Sequence, residues 1–170
     1  MVHRTTRMLA VGLAVLCTLG LGACGGDDDD AKVAADSANA AAPCEPVGTE
    51  LAASATRTVP VTVQEYSFTP GTIDVAAGVV TFAVTNAGTL DHEMAVLPGG
   101  GDVPLNSAGN PDEDALTAAG AFELEGFGPG LDCNATFDLK PGIYTLFCIV
   151  TDPDGRTHYA KGMRGKLTVA

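Results

Sequence analysis

Basic residues are scarce. Nine Lys and Arg stand against 21 Asp and Glu in 170 residues, a formal net charge of −12. A chain this acidic offers no footprint for nucleic acid or for an anionic lipid surface. Helical periodicity is missing as well: no stretch sustains apolar residues at helical spacing, which sets aside a helical fold. There is no glycine-rich phosphate loop and no Gly-x-Ser-x-Gly elbow. Only three histidines occur, too few for a centre assembled from many imidazoles. No nucleophile stands with a matching base, and no internal repeat is visible. These absences describe a chain that is not an enzyme.

What is present begins with a leader. His3, Arg4 and Arg7 make a short basic start, residues 8–21 are almost wholly apolar, and Leu21-Gly22-Ala23-Cys24 follows. This is the pattern of a cleaved secretory signal peptide, too short and too early for a comfortable membrane span. The four-residue box resembles a bacterial lipobox. That implies removal of residues 1–23 and a lipid on Cys24; the alternative is an ordinary secretory signal with a chance Cys. A lipoprotein of this kind is secreted and anchored to the outer face of the bacterial cytoplasmic membrane, touching it only through the lipid. Residues 24–56 carry four consecutive Asp at 27–30 and then Ala, Ser, Asn and Pro. They read as a flexible, self-repelling acidic and Ala-rich tether. The Asp run is a solvating spacer, because adjacent Asp in a flexible chain have no fixed geometry with which to select an ion.

From residue 57 the texture changes. Residues 57–170 hold 14 acidic and 6 basic residues, a net −8. Val59, Val61 and Val63 alternate with polar residues, the period of a half-buried strand. Further strands are expected at 73–75, 79–85, 92–97, 135–139, 143–150 and 166–169. Turns are expected at Pro70-Gly71, at 76–78, at 126–130 and at Lys140-Pro-Gly142. Residues 98–115 read as a loop, and 116–124 as one helical turn or a short strand. The fold class is all-β, a Greek-key β-sandwich or barrel of about seven or eight strands.

The chemistry sits in two stretches. Asn86-Ala-Gly-Thr-Leu-Asp-His92-Glu93 supplies one imidazole. Tyr144-Thr-Leu-Phe-Cys148, Asp152-Pro-Asp-Gly-Arg-Thr-His158 and Gly162-Met163-Arg-Gly supply a thiolate, a second imidazole and a thioether. A soft thiolate, two borderline imidazoles and a weak axial thioether form the donor set of a mononuclear copper site for electron transfer. Zinc also accepts Cys and two His, but Met is a poor fourth ligand for it. Asp91, Glu93, Asp152 and Asp154 lie near these residues and read as solvated surface, since hard carboxylates suit other metals.

Three segments make residues 57–170 resemble a cupredoxin, the plastocyanin and azurin type of blue copper domain. They are Phe68-Thr-Pro-Gly-Thr-Ile-Asp-Val-Ala-Ala-Gly78, Val84-Thr-Asn86-Ala-Gly88 with His92 after it, and Leu139-Lys-Pro-Gly-Ile-Tyr-Thr-Leu-Phe-Cys148. His158 and Met163, with four residues between them, resemble the rest of the ligand loop. The resemblance implies one type 1 copper ion held by His92, Cys148, His158 and Met163. It also implies an electron path through the edge of His158, and an Asn86 that ties the two ligand loops by hydrogen bonds. Glu93, beside His92, is a candidate to orient the site from outside the ligand set.

The family's loop between Cys and the second His is usually short, whereas nine residues separate Cys148 from His158 here. Pro153-Asp154-Gly155 is strong turn chemistry. A hairpin turning on Pro153 and Asp154 places Cys148 opposite Tyr159 and returns His158 towards the thiolate. Among the remaining cysteines of an exported protein, one disulfide and one thiol kept for another use are expected. With Cys148 given to the site, the disulfide candidate is Cys44 with Cys133; the alternative leaves one or both free.

The expected function is single-electron transfer by Cu(II)/Cu(I) cycling, as a monomer, between redox partner proteins. An acidic domain suits partners with a basic docking face. The alternative is a copper-binding module for storage, buffering or delivery of the ion.

Overall fold

The computed structural model describes residues 41–170; the leader, Cys24 and the Asp run lie outside them. The described residues form β1 (Arg57–Gln64), β2 (Ser67–Thr69), β3 (Thr72–Val75), β4 (Gly78–Asn86), β5 (His92–Pro98), α1 (Glu113–Ala118), β6 (Phe122–Phe127), β7 (Asp132–Leu139), β8 (Gly142–Phe147) and β9 (Arg164–Val169). Nine strands make two sheets, one in the order β2-β1-β4-β7 and the other β3-β9-β8-β5-β6. The all-β sandwich read from the sequence is therefore what the chain forms. Among the described residues no helix is long and apolar enough to cross a membrane.

Alternation builds the first sheet. Val80, Phe82 and Val84 of β4 are buried, and they lie level with Phe137, Ala135 and Cys133 of antiparallel β7. Val61 of β1, parallel to β4, adds to the same inner face. The second sheet is different at β5, where every residue of His92–Leu97 is buried. Met94 and Val96 point into the sandwich core with Phe82, Leu124, Leu146, Met163 and Leu167. Ala95 and Leu97 point the other way, into a second small core with Val103, Leu116, Phe147 and Tyr159. The 98–121 connection thus covers the outer face of β5, which explains a strand buried on both faces.

Within that connection the helix starts earlier than the sequence reading placed it. Asp112 caps α1, its carboxylate accepting the Ala115 N–H at 3.0 Å, and Glu113 and Asp114 follow in the first turn. A capping Asp and acidic first-turn residues favour a helix start there. Strand β6 runs through Gly126, where a turn was expected, because it pairs with β5 as far as Phe127↔His92.

Cys44 and Cys133 are disulfide-bonded, with Cα atoms 5.4 Å apart across a separation of 89 residues. Ordered packing starts before residue 57. Val47 bridges Ala135, and the Gly128 N–H donates to the Ala42 carbonyl at 2.8 Å. Residues 42–56, read above as tether, are therefore packed on the domain, with Val47 against β7 and the Thr56 N–H donating to the Val79 carbonyl of β4 at 2.9 Å. Gly48 permits that approach: its φ is +65° and a Cβ there would sit 2.0 Å from the Thr136 carbonyl oxygen.

Strand direction assembles the site. β8 is antiparallel to both β5 and β9. The end of β8 therefore lies beside the starts of β5 and β9, which brings Cys148, His92 and Met163 to one end of the second sheet.

Candidate metal centre

Cys148 directly follows β8. In the β8–β9 register Phe147 lies opposite Arg164. One further step places Cys148 opposite Met163, and cross-strand neighbours stand roughly 4.5–5.5 Å apart at Cβ. The main chain of β5 supports the sulfur: the Glu93 N–H points to Cys148 Sγ at 3.5 Å. The Glu93 carboxyl in turn accepts the Ile149 N–H at 2.8 Å. Burial raises that carboxyl to about 8, against the opposing pull of the Ile149 amide, with Glu123 and Glu125 adding to the rise. Glu93 is thus a buried brace across the ligand ends of β5 and β8, and its reading as solvated surface is corrected.

His92 opens β5, and two side chains pin the turn before it. Asn86 is fully buried; its Nδ2 donates to the carbonyls of Leu90 at 2.9 Å and Phe127 at 2.8 Å, and its Oδ1 accepts the Gly88 N–H at 3.0 Å. Those bonds tie the His92 turn to the end of β6 rather than to the Cys148 segment. Glu65 accepts the N–H groups of Thr89 at 2.5 Å and Leu90 at 2.8 Å. Burial works to raise its carboxyl, but the Thr89 and Leu90 amides outweigh that and hold it at about 2. Nothing local in the sequence marks Glu65, a side chain whose partners lie 24 and 25 residues away.

His158 arrives by the expected hairpin. Thr151 and Thr157 form its bridge, and the N–H groups of His158 and Tyr159 donate to the carbonyls of Val150 and Cys148, each at 2.8 Å. The tip is longer by one residue than a turn on Pro153 and Asp154 alone. Gly155 adopts φ +78° and its N–H returns to the Asp152 carbonyl at 2.8 Å, the pattern of a turn closed by a left-handed residue. Tyr159 still meets Cys148. Beyond it, the Met163 N–H donates to the His158 carbonyl at 2.9 Å, so the last two candidate ligands share one tight turn.

The side chains converge. His158 Nδ1 lies 3.3 Å from Cys148 Sγ and 3.1 Å from His92 Nδ1. The ligand atoms of His92, Cys148 and His158 all lie within 4.8 Å of one another. These three residues and Met163 are all 0% exposed.

The donor chemistry fits a soft cation. Burial pushes the Cys148 thiol well above its ordinary value, and the Glu93 carboxyl adds to that. His92 is held below its ordinary value, by burial first and His158 next. A buried thiol that resists ionisation beside a buried imidazole that resists protonation lacks a positive charge. A metal ion supplies one and holds the thiolate. His158 Nε2 meets Asp152 Oδ1 at 3.0 Å, which fixes the proton on Nε2 and turns the Nδ1 lone pair inward.

No family model matches the sequence, and neither does any curated protein. Solved structures do. Auracyanin B is 26% identical, with 76% of this chain and 98% of that one covered at a TM-score of 0.54. A dithionite-reduced auracyanin from the photosynthetic bacterium Roseiflexus castenholzii is 28% identical, with 68% and 98% covered at 0.51. The fold is that of a cupredoxin. The His, Cys, His and Met at one end of its second sheet are the ligand set of a type 1 copper site.

The cupredoxin resemblance implied an electron path through the edge of His158. His158 presents no free edge: it is fully buried. Asp152 caps its Nε2, and the Tyr66 ring stands edge-on to it with centroids 5.0 Å apart. Asp152 is itself only 7% exposed, which corrects its reading as solvated surface. Its Oδ2 accepts the Tyr66 O–H at 2.6 Å and a bond from Lys161, which also reaches Asp154 at 2.8 Å. Burial works to raise the Asp152 carboxyl, but the bonds from Lys161, Tyr66 and His158 hold it well below the usual range. The turn signal Asp-Pro-Asp-Gly was plain in the sequence; that its first Asp turns inward depends on where Tyr66 and Lys161 lie.

Proposed function

We propose that this protein is a blue copper electron carrier in which His92, Cys148, His158 and Met163 hold one type 1 copper ion. The observation that carries the reading is the convergence of two Nδ1 atoms and one Sγ, all buried, at the strand ends of an auracyanin-like sandwich. Copper held there supplies one-electron chemistry between Cu(II) and Cu(I).

The chain's own contribution is rigidity and dryness. His92 and Cys148 sit at strand ends braced by Glu65, Asn86 and Glu93, so the ligands need move little when charge changes. The buried donors exclude water and leave no open position for a substrate, which suits a carrier rather than an enzyme. Storage or delivery asks the metal to leave, and four fully buried donors oppose that.

The leader and the Cys24 box support a lipid-anchored place outside the cytoplasmic membrane, with the acidic domain presented to redox proteins bearing basic faces. Loading the full chain with Cu(II) is expected to give an intense visible charge-transfer band and the electron paramagnetic signature of a thiolate-bound type 1 centre. Cys148→Ser is expected to abolish the band. A colourless loaded protein with ordinary tetragonal copper, or a Cys148→Ser variant that keeps its colour, overturns the assignment. Fast electron self-exchange without loss of metal separates a carrier from a delivery protein.

A further inference from the structure

We propose that Asp152 is a positioning residue for His158, and that the Asp152–Lys161 pair sets how strongly the site favours the oxidised ion. The inference rests on the copper reading above and concerns residues outside the ligand set.

The cap has three parts. Asp152 Oδ1 takes the His158 Nε2–H at 3.0 Å. Asp152 Oδ2 is held by the Tyr66 hydroxyl at 2.6 Å and by Lys161. The Tyr66 ring packs against the imidazole with centroids 5.0 Å apart, and Lys161 Nζ lies 3.3 Å from the Tyr66 hydroxyl and 5.1 Å from its ring centroid. Every hydrogen-bonding atom of the carboxylate is therefore used. The whole assembly depends on the nine residues between Cys148 and His158, since the insert supplies Asp152 and aims it back at the ring.

The direction of the effect follows from charge. A carboxylate bonded to the far nitrogen of a ligand imidazole makes that imidazole a stronger donor. Its negative charge also favours the more positive oxidation state, and in a buried setting such charges are weakly screened. Lys161 offsets part of that charge. Removing Asp152 and removing Lys161 therefore push the equilibrium in opposite directions. A purely structural role predicts otherwise: breaking either end of one ion pair loosens the same cap and moves the site the same way.

The test uses the full chain loaded with copper and reads the reduction potential by spectroelectrochemistry. Asp152→Asn keeps an acceptor for Nε2 but removes the charge. It is expected to raise the Cu(I):Cu(II) ratio at fixed applied potential about tenfold, which is about 59 mV for one electron. Lys161→Gln is expected to lower the ratio, and Asp152→Glu to return it towards the parent value. Shifts of the same sign in Asp152→Asn and Lys161→Gln, or no shift in either, overturn the proposal. If Asp152→Asn yields no loaded protein, Lys161→Gln decides alone: a lowered ratio supports the proposal, and an unchanged or raised one overturns it. An unmutated chain without the visible band would instead bring down the copper reading, which is a different failure from a blue parent whose two variants shift together.

Discussion

At Gly88 the room beside the first imidazole is measured in tenths of an ångström. A Cβ there would stand 2.7 Å from Glu65 Oε1 and 2.8 Å from His92 Nε2, and among the described residues His92 Nε2 has only the long 3.5 Å contact to Glu65 Oε1 to hold it against such a push. Gly88→Ala should therefore displace the ring or Glu65 and weaken Cu(II) binding about tenfold, read by competition titration. Unchanged affinity would show that the turn yields without moving His92. Asn86 is the complementary case. Asn86→Ala strips a buried side chain from the Leu90 and Phe127 carbonyls and the Gly88 amide. Each buried group left unpaired costs about 1–3 kcal/mol, so the urea midpoint of the metal-free variant should fall clearly below the parent's. The ligand identities were legible because thiolate, imidazole and thioether are rare in this chain and each carries distinct chemistry. Glu65, Tyr66 and Lys161 were not, since their residue types are ordinary and only their neighbours make them part of the site.

Among the elements, the 151–157 hairpin follows its local turn signal, whereas strand β5 departs from what local sequence suggests. The hairpin lengthens the ligand loop without displacing His158, because Tyr159 and His158 each bond back across it. Its turn depends on the left-handed Gly155, at φ +78°. Gly155→Ala should cost about 1 kcal/mol of stability, the penalty of that conformation for a residue with a Cβ. Chemical denaturation measures it, and a loss of nothing would mean that the turn has another conformation. Strand β5 was expected from its apolar run, but its two-sided burial was not. Periodicity reports one buried face; a second appears only when α1 and its flanking connection fold over the outer side.

For the molecule as a whole, the Cys44–Cys133 bond ties the segment before β1 to β7 and to the sandwich core that holds Cys148. Closing a loop of 89 residues restricts the unfolded chain, and losing such a bond typically costs about 2–5 kcal/mol. Cys44→Ser with Cys133→Ser should lower the urea midpoint accordingly while leaving the visible copper spectrum in place. Loss of the band in a folded double variant would show that the staple also shapes the site. The sequence alone determined the sandwich class, through strands of period two and turn residues at their ends. It also determined the donor set, since thiol, imidazole and thioether chemistry is a property of residue type. Only the tertiary structure decided the surroundings of those donors: the Asn86 and Glu65 bonds that pin His92, the buried Glu93 brace, and the Asp152, Tyr66 and Lys161 cap over His158. Those contacts join segments up to 95 residues apart. Local preference acts over neighbouring residues, whereas burial and charge pairing are set by whatever the fold brings alongside.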